Sequence, residues 1–327
     1  MVDVARHAGV SQKTVSRVVN DAPYVRPEVR QRVLGIIEEL GYRPNAAARA
    51  LVTQRTYVIG VLAVGVPLFG PAHRVYSLEH AARERGYELA VASLPVSSPR
   101  EFRTALLQLL ARGLEGLILE LPNHLVDLQG LALGDLPVVT GVGPLPGVER
   151  QTVVSADQVR GGTMATQHLL GLGHRTVWHI AGPLGWNAAR ERAEGWATAL
   201  RTANRPQPPL LQGDWSARSG YQLGLELAAR GDVTAVFTAN DHQAMGVLRA
   251  FAEQGRSIPA DVSVVGFDDA PEAEYQMVPL TSVRVDHSTV AHRILKELIA
   301  LIGGGEPATE RVDVPCELIV RKSTGPP

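Results

Sequence analysis

Polar and apolar positions along this 327-residue chain follow two different rhythms, and the change between them divides it. Up to residue 40 the apolar residues recur at helical spacing. Val15, Val18 and Val19 line one side of the segment Gln12 to Asn20, whose other side carries Gln12, Lys13, Ser16, Arg17 and Asn20. Ser11 is placed to cap that helix, Gly9 to supply the left-handed turn before it, and Ala5 and Val10 to let a preceding helix cross closely. Arg26 to Leu40 follows, with Val29, Val33, Leu34, Ile36, Ile37 and Leu40 as the apolar face of a third helix ended by Gly41. Two short helices joined by a tight turn and closed by a third read as a helix-turn-helix headpiece. Its polar stripe suits a major groove, where amides and guanidinium groups read base edges. Asn45 then caps an alanine-rich segment running to Leu51, too short to be helical in water without a partner to hold it.

Beyond residue 56 the rhythm changes. Apolar runs alternate with amphipathic helices: YVIGVLAV, a helix from His73 to Arg85, ELAVASL, a helix from Glu101 to Arg112, GLILEL and LPVVTGV. A second series starts near Asp157, with helices to Leu172 and over 187–203, 216–230 and 241–254, and strands TVWHIAG, AVFTAN and VSVVGF. This βα repeat predicts parallel sheets covered by helices on both faces, in two similar Rossmann-like halves with a cleft between them. In such sheets ligands sit beyond the carboxyl ends of the strands. Asn240 and Asp241 follow AVFTAN, Asp268 and Asp269 follow VSVVGF, Arg190 and Arg192 follow AGPLGW, and Trp215 lies in GDWSA. Guanidinium, carboxylate, amide and an indole face together make a polyol clamp. Asp241 and Asp269 are the two expected instead to cap the segments after them.

Charge sharpens the division. The net charge is -1, yet residues 1 to 55 hold nine Lys/Arg against five Asp/Glu, and the remainder 23 against 28. A basic headpiece on an acidic body favours phosphate contact at one end only. The single cysteine, Cys316, excludes an internal disulfide and any multi-cysteine metal site, and suits a reducing compartment. With no secretory leader and no bilayer-length apolar run in view, a cytoplasmic location and no membrane partner are expected.

Eight blocks in order resemble the LacI/GalR family of bacterial transcription regulators: Asp3–Asn20, Gly41–Leu51, Ile59–Val61, His168–Val177, Ala181–Pro183, Thr238–Asp241, Asp261–Asp269 and Pro279–Asp286. The resemblance spans essentially the whole chain. It implies an all-α helix-turn-helix headpiece plus an α/β core of two Rossmann-like subdomains of the periplasmic-binding-protein type. The divisions expected are a headpiece over 1–44, a hinge helix and linker over 45–56, and a core over 57–327. Within the core the first subdomain would take 57–156 and 286–314, and the second 157–285 and 315–324. The crossings between them come from the resemblance.

Function follows on the same footing. The implied protein is a repressor that binds pseudo-palindromic, double-stranded operator DNA as a homodimer and is switched by a small sugar or glycoside between its core subdomains. Base reading would fall to Gln12, Lys13 and Arg17, and backbone contacts to Ser11, Thr14, Ser16, Asn20 and Tyr24. Asn45, Ala48 and Leu51 would enter the minor groove, with Leu51 as the wedge. Arg192, Asn240 and Asp268 would contact the effector, Trp215 would stack on it, and Leu68, Phe69 and Pro71 would form an apolar wall. The chain departs from the most similar members of the family at Gly141, where they carry an acidic residue, and at Val64 and Val285, where they carry polar ones. Glu120, at a neighbouring strand end, is the expected substitute for the missing carboxylate.

Other classes fit less well. His168, His174 and His179 straddle a helix, a turn and a strand, and adjacent Asp268 and Asp269 point opposite ways on a strand end, so neither set makes a catalytic cluster. No P-loop, GxSxG or HExxH is present, and no enzyme activity, metal or cofactor is expected. The alternative is a free sugar-binding protein of the periplasmic type, which would need a leader and would lack Asp3 to Leu51. Gly303 to Gly305 reads as a turn. Without a terminal leucine heptad the expected assembly is a dimer, built on the segment around His73 to Arg85. Met1-Val2-Asp3 already lies inside the first helix without a Ser/Thr cap, so either a start a few residues upstream or a frayed helix is expected.

Overall fold

The computed structural model describes every residue except 20–22, 43–54, 66–67, 95–98, 123–124, 127, 129–130, 132 and 142, and the side chain of 99. Asn20, Asn45, Ala48 and Leu51 lie outside the described residues, as does the short helix expected around them. The chain forms two compact units, Met1–Thr56 and Tyr57–Pro327.

In the first unit, α1 (Val2–Ala8) ends at Gly9, whose φ of 62° lets its N–H return to the carbonyls of Ala5 and Arg6. Met1 occupies the cap position of α1 without a side-chain hydrogen bond. In α2 (Gln12–Val19) Ser11 Oγ accepts from the Thr14 N–H at 3.1 Å, satisfying one of the helix's free donors. Pro27 starts α3 (Pro27–Glu39), where its missing N–H costs nothing. Val4, Ala5, Ala8, Val15, Val18 and Val33 form the core. The apolar face expected for α3 is narrower than its sequence suggests. Only Val33 is fully buried, Val29, Ile36 and Ile37 are half-buried, and Leu34 and Leu40 stay exposed. Two short helices packed on a third cover only one stripe of it, and Leu34 lies a quarter-turn off that stripe.

The second unit holds two six-stranded sheets. The first contains β1 (Val58–Val64), β2 (Glu88–Leu94), β3 (Gly116–Glu120), β4 (Val138–Thr140), β5 (Gln151–Ala156) and β11 (Val312–Val314), in the order β11-β5-β4-β3-β1-β2. All of its pairings are parallel. The second contains β6 (Trp178–Ala181), β7 (Leu211–Gln212), β8 (Ala235–Thr238), β9 (Ser263–Asp268), β10 (Thr281–Arg284) and β12 (Glu317–Ile319), in the order β12-β10-β9-β8-β6-β7. Only β12 runs antiparallel, against β10. The chain thus leaves the first sheet after β5, returns to it at β11, and ends in the second.

Helices cover both sheets, as parallel strands require. α4 (Phe69–Glu84) and α5 (Pro99–Leu110) connect the first three strands. α6 (Gln158–Gly171), α7 (Asn187–Thr202), α8 (Ala217–Ala228) and α9 (Asp241–Glu253) belong to the second series. α10 (His287–Ile302) carries the chain back toward β11 and packs against α4. α4 starts at Phe69, a full turn before the expected His73. Pro71 falls in its first turn, where proline removes no intrahelical hydrogen bond. Helix α5 likewise runs two residues ahead of its expected span. The earlier start of α4 places Gly70 and Pro71 of its first turn on the cavity.

Candidate ligand cleft and helix-turn-helix face

On α2 the expected base-reading residues Gln12, Lys13 and Arg17 are all exposed, on the side opposite buried Val15 and Val18. Thr14 and Ser16 are half-buried. Ser11 Oγ is engaged by the Thr14 N–H and lies 3.0 Å from Thr14 Oγ1. Tyr24 is fully exposed and holds a φ of 75°, a left-handed conformation unfavourable to an aromatic residue. An exposed stripe of donors on a small basic unit can meet a polyanion.

In the second unit a cavity of about 110 Å3 opens between the carboxyl ends of the two sheets, the place where open α/β sheets bind ligands. Of the eight residues expected to bind a ligand, Leu68, Pro71, Glu120, Arg192, Trp215, Asn240 and Asp268 line it. Phe69 does not. At the first residue of α4, its ring lies 4.1 Å from that of His73 and 5.7 Å, edge-on, from that of His287. Leu68 packs on the cluster of Ala189, Trp215 and Ala239. Leu68 and Pro71 thus stand on the cavity as expected, and Phe69 is the member of the expected apolar wall that internal packing takes up.

Arg192, on α7, organises the second-sheet wall. Its Nε donates to Gln158 at 2.7 Å, Nη1 donates to the Ala239 carbonyl, and Nη2 lies 3.4 Å from Asp268 Oδ1. The guanidinium stacks 3.6 Å above the Phe267 ring, an arrangement suited to its planar, weakly hydrated cation. Burial pushes the Asp268 carboxyl up and the Arg192 guanidinium down, and their mutual attraction opposes both shifts. Asp268 has a φ of 97° and Asp269 one of 53°. Two left-handed non-glycine residues in succession cost about 1–3 kcal/mol each, and here they send the two carboxylates to different places. Asp268 faces the cavity, whereas Asp269 holds Arg284 at 2.8 Å and Arg321 at 2.6 Å. Asp241 does not cap its own helix. It accepts from the Ala270 N–H at 2.7 Å and from Ser282 at 2.6 Å, and burial raises its pKa well above the usual carboxyl value.

Asn240 lines the cavity, but its amide is already engaged. Oδ1 caps α9 through the Gln243 N–H at 2.9 Å, and Nδ2 donates to the Trp215 carbonyl at 3.0 Å. It therefore positions Trp215, whose φ of 74° turns the loop and whose ring meets Trp186 edge-on at 5.8 Å. Gly182 is required beneath it, since a Cβ there would lie 2.5 Å from the indole.

The first-sheet wall contains groups that the sequence reading missed. Arg74 of α4 reaches Glu120 Oε2 at 3.4 Å. It lies on the same stripe as buried Leu78, Ala81 and Ala82, a helical spacing legible within the expected helix His73 to Arg85. His287, the first residue of α10, also lines the cavity, as do Gln158, Trp186 and Asn187. Burial, helped by the charges of Arg74, His73 and Arg192, lowers the His287 pKa to about 3. Among the described residues, buried Arg74 Nε, Glu120 Oε1, Trp215 Nε1 and both His287 nitrogens have no hydrogen-bond partner. Val64 and Val285, by contrast, are buried in hydrophobic clusters.

Residues 1–45 match the model for bacterial regulatory proteins of the lacI family, and residues 166–324 that for a periplasmic binding protein-like domain. The lactose operon repressor of Escherichia coli (strain K12) is 34% identical over 330 residues, covering 99% of this chain and 90% of the relative. The chain belongs to the lacI family. The family's transcriptional regulator CelR of Thermobifida fusca is 36% identical, covering 98% of this chain and 96% of its own. A lac repressor dimer bound to operator and the anti-inducer ONPF superposes with a TM-score of 0.87 at 32% identity, covering 99% of this chain and 98% of that one. A CelR–cellobiose complex superposes with a TM-score of 0.74 at 33% identity, covering 98% of each. This lacI-family chain is a DNA-binding transcriptional regulator with an α/β ligand-binding core.

The histidines once weighed for catalysis are separately engaged. His168 meets Thr324 at 2.9 Å, His174 meets Thr234 and the Gly325 carbonyl, and His179 stacks on Phe237 at 4.4 Å. No group of three His, Cys, Asp or Glu among the described residues is arranged to hold a metal. No helix among them is long and apolar enough to cross a membrane. The relatives named above are transcriptional regulators.

Proposed function

We propose that this lacI-family chain is a cytoplasmic, non-enzymatic repressor that binds a pseudo-palindromic operator as a homodimer and is switched by a small sugar or glycoside in the core cavity. The observation that carries the effector is the Arg192–Asp268 pair, buried on one cavity wall beside unpartnered indole and imidazole nitrogens. Hydroxyls supply donor and acceptor together and so match such a lining. Gln12, Lys13 and Arg17 read base edges in each half-site, while Ser11, Thr14, Ser16, Asn20 and Tyr24 meet the backbone. Asn45, Ala48 and Leu51 form paired hinge segments that open the minor groove at the centre.

The working divisions are a headpiece over 1–44, a hinge over 45–56 and a core over 57–327. Ligand turns one core subdomain against the other, misaligns the hinges and weakens operator binding, with a coupling of about 1–3 kcal/mol. Dimer contacts use α4 and its neighbours on the first sheet, where Tyr76 is exposed. A relative's dimer on operator DNA and another's complex with cellobiose support this reading.

Two measurements test it together. Anisotropy on a duplex selected from a random library is expected to show binding that falls steeply between low and moderate salt, as counterion release requires. Thermal-shift screening is expected to show stabilisation by sugars, since a ligand binding only the native state raises its melting point. No DNA binding at low salt, or stabilisation by nucleobases or amino acids and not by sugars, overturns the reading.

A further inference from the structure

Three stretches of chain cross between the two halves of the core: Asp157 after β5, Val285 and Asp286 after β10, and Pro315 and Cys316 between β11 and β12. The first and third run side by side, since the Asp157 N–H donates to the Val314 carbonyl at 2.8 Å and Cys316 Sγ lies 3.5 Å from the Asp157 carbonyl. A further connection is made by side chains alone. Arg311 directly precedes β11 of the first sheet, and Glu191 stands on α7, between β6 and β7 of the second. Arg311 Nη2 donates to Glu191 Oε2 at 2.8 Å while Nη1 donates to Oε1, a fork on both carboxylate oxygens. Asp313, two residues on, accepts from Arg311 Nε at 2.7 Å and so holds the guanidinium toward α7. Exposed ion pairs contribute little, but this one is two-pronged, pre-oriented by a third charge and only 16% exposed on the Glu191 side.

The pair stands on the helix that also carries the cavity's buried cation. Glu191 is followed in the chain by Arg192, which is held on the cavity side by Gln158, the Ala239 carbonyl and Asp268. Consecutive helical residues point about 100° apart, so the same turn of α7 is gripped from within by the second sheet's wall and from without by the first sheet. That helix is not free to move alone. Thr163 of α6 donates to the Gly195 carbonyl at 3.3 Å, and a Cβ on Gly162 or Gly195 would run into the facing backbone, so α6 and α7 move with the second sheet as one piece. The geometry points to Arg311 and Glu191 as an ion-pair latch between the two halves of the core, positioning residues that bias the rotation coupling the cavity to operator affinity. This rests on the regulator reading above and names the contact that sets its resting balance. A contact made in one arrangement favours that arrangement by its own free energy. Turning the halves about the three crossings draws Arg311 away from Glu191 and breaks the fork.

Arg311→Gln, Glu191→Gln and the double variant of the full chain, each first checked for a cooperative melt, test the inference by anisotropy on the selected duplex without any sugar. Each single variant is expected to change operator affinity about threefold, both in the same direction, and the double variant no more than either single. Arg311→Lys keeps the charge without the fork and is expected to fall between; it replaces Arg311→Gln if that variant melts without cooperativity. Hydrogen exchange of the full chain is a second readout that needs neither DNA nor effector. In the single variants, peptides covering all three crossings are expected to exchange about threefold faster. Operator affinity unchanged in both single variants, changes in opposite directions, or effects that add in the double variant overturn the latch and leave the regulator reading intact. So does faster exchange confined to α7 and β11. A native chain that binds no duplex overturns the regulator reading, and the exchange pattern at the crossings then decides the latch by itself.

Discussion

Glu120 holds its carboxylate oxygens 3.5 and 3.7 Å from the point where a Cβ on Gly141 would stand. Glu120 ends β3 and Gly141 directly follows its neighbour β4, so an acid on one strand end occupies the space beside a bare backbone on the next. Glu120 is the acid that the sequence offered in place of the one missing at 141, and burial raises its pKa while Arg74 opposes the shift.

The juxtaposition predicts a reciprocal pair of substitutions. Gly141→Asp alone sets two carboxylates side by side in a buried wall and is expected to lower stability by about 1–3 kcal/mol, since like charges at such separation disfavour ionisation of both. Combined with Glu120→Asn, the same change is expected to recover most of that loss. A double-mutant cycle on urea midpoints measures the coupling, and additive effects would show that the two sites do not share space.

Arg192 and Asp268 are predicted to respond unequally. Arg192→Met leaves a buried carboxylate without its cation and is expected to cost about 3–5 kcal/mol. Asp268→Asn keeps a residue that tolerates positive φ, so the fold is expected to survive while the ligand-induced rise in melting temperature is lost. Thermal melts with and without a binding sugar separate the two effects.

His287 and His179 have pKa values lowered to about 3 and about 4, from 6.5. Between those values and 6.5 the unfolded chain binds protons that the folded chain does not, so each histidine contributes stability that is present above pH 6.5 and is lost as pH falls. The slope is up to about 1.4 kcal/mol per pH unit for each. Raised pKa values at Glu120, Asp241 and Asp268 act in the opposite sense. The difference between the native chain and His287→Phe isolates one group. Its denaturation midpoint is expected to fall less on acidification from pH 7 to pH 4.5, and equal slopes would show that His287 is not held neutral.

At the other unit, Arg17→Ala is expected to cost about 1–3 kcal/mol on a selected duplex and to relax base preference at one position in each half-site, as loss of a base-edge contact does. Leu34→Ala, on the exposed side of α3, is expected to change neither affinity nor preference. Anisotropy titrations on the selected duplex and on single-base variants give both readouts.

Local periodicity carried much of the architecture. The alternation of apolar runs and amphipathic helices marked the βα order, Gly9 and Ser11 marked the turn and cap of the first unit, and the residues after AVFTAN and VSVVGF marked the second-sheet wall. These signals are legible because burial of one face and the capping of free N–H groups are decided within a few residues. They failed where a local rule had two outcomes. The helix expected from His73 begins at Phe69 with Pro71 in its first turn, and Phe69, expected in the ligand wall, meets His73 instead.

The sequence by itself determined a basic helix-turn-helix, two α/β halves of a core and a set of strand-end polar residues. Only the tertiary structure decided what those residues do. Asn240 engages its amide in holding Trp215, Asp269 turns away to Arg284 and Arg321, and Arg74, Glu120 and His287 converge from α4, β3 and α10. The reason is physical: a hydrogen-bond partner is fixed by distance and burial in three dimensions, and residues far apart in the chain meet only after the chain has crossed between its two sheets.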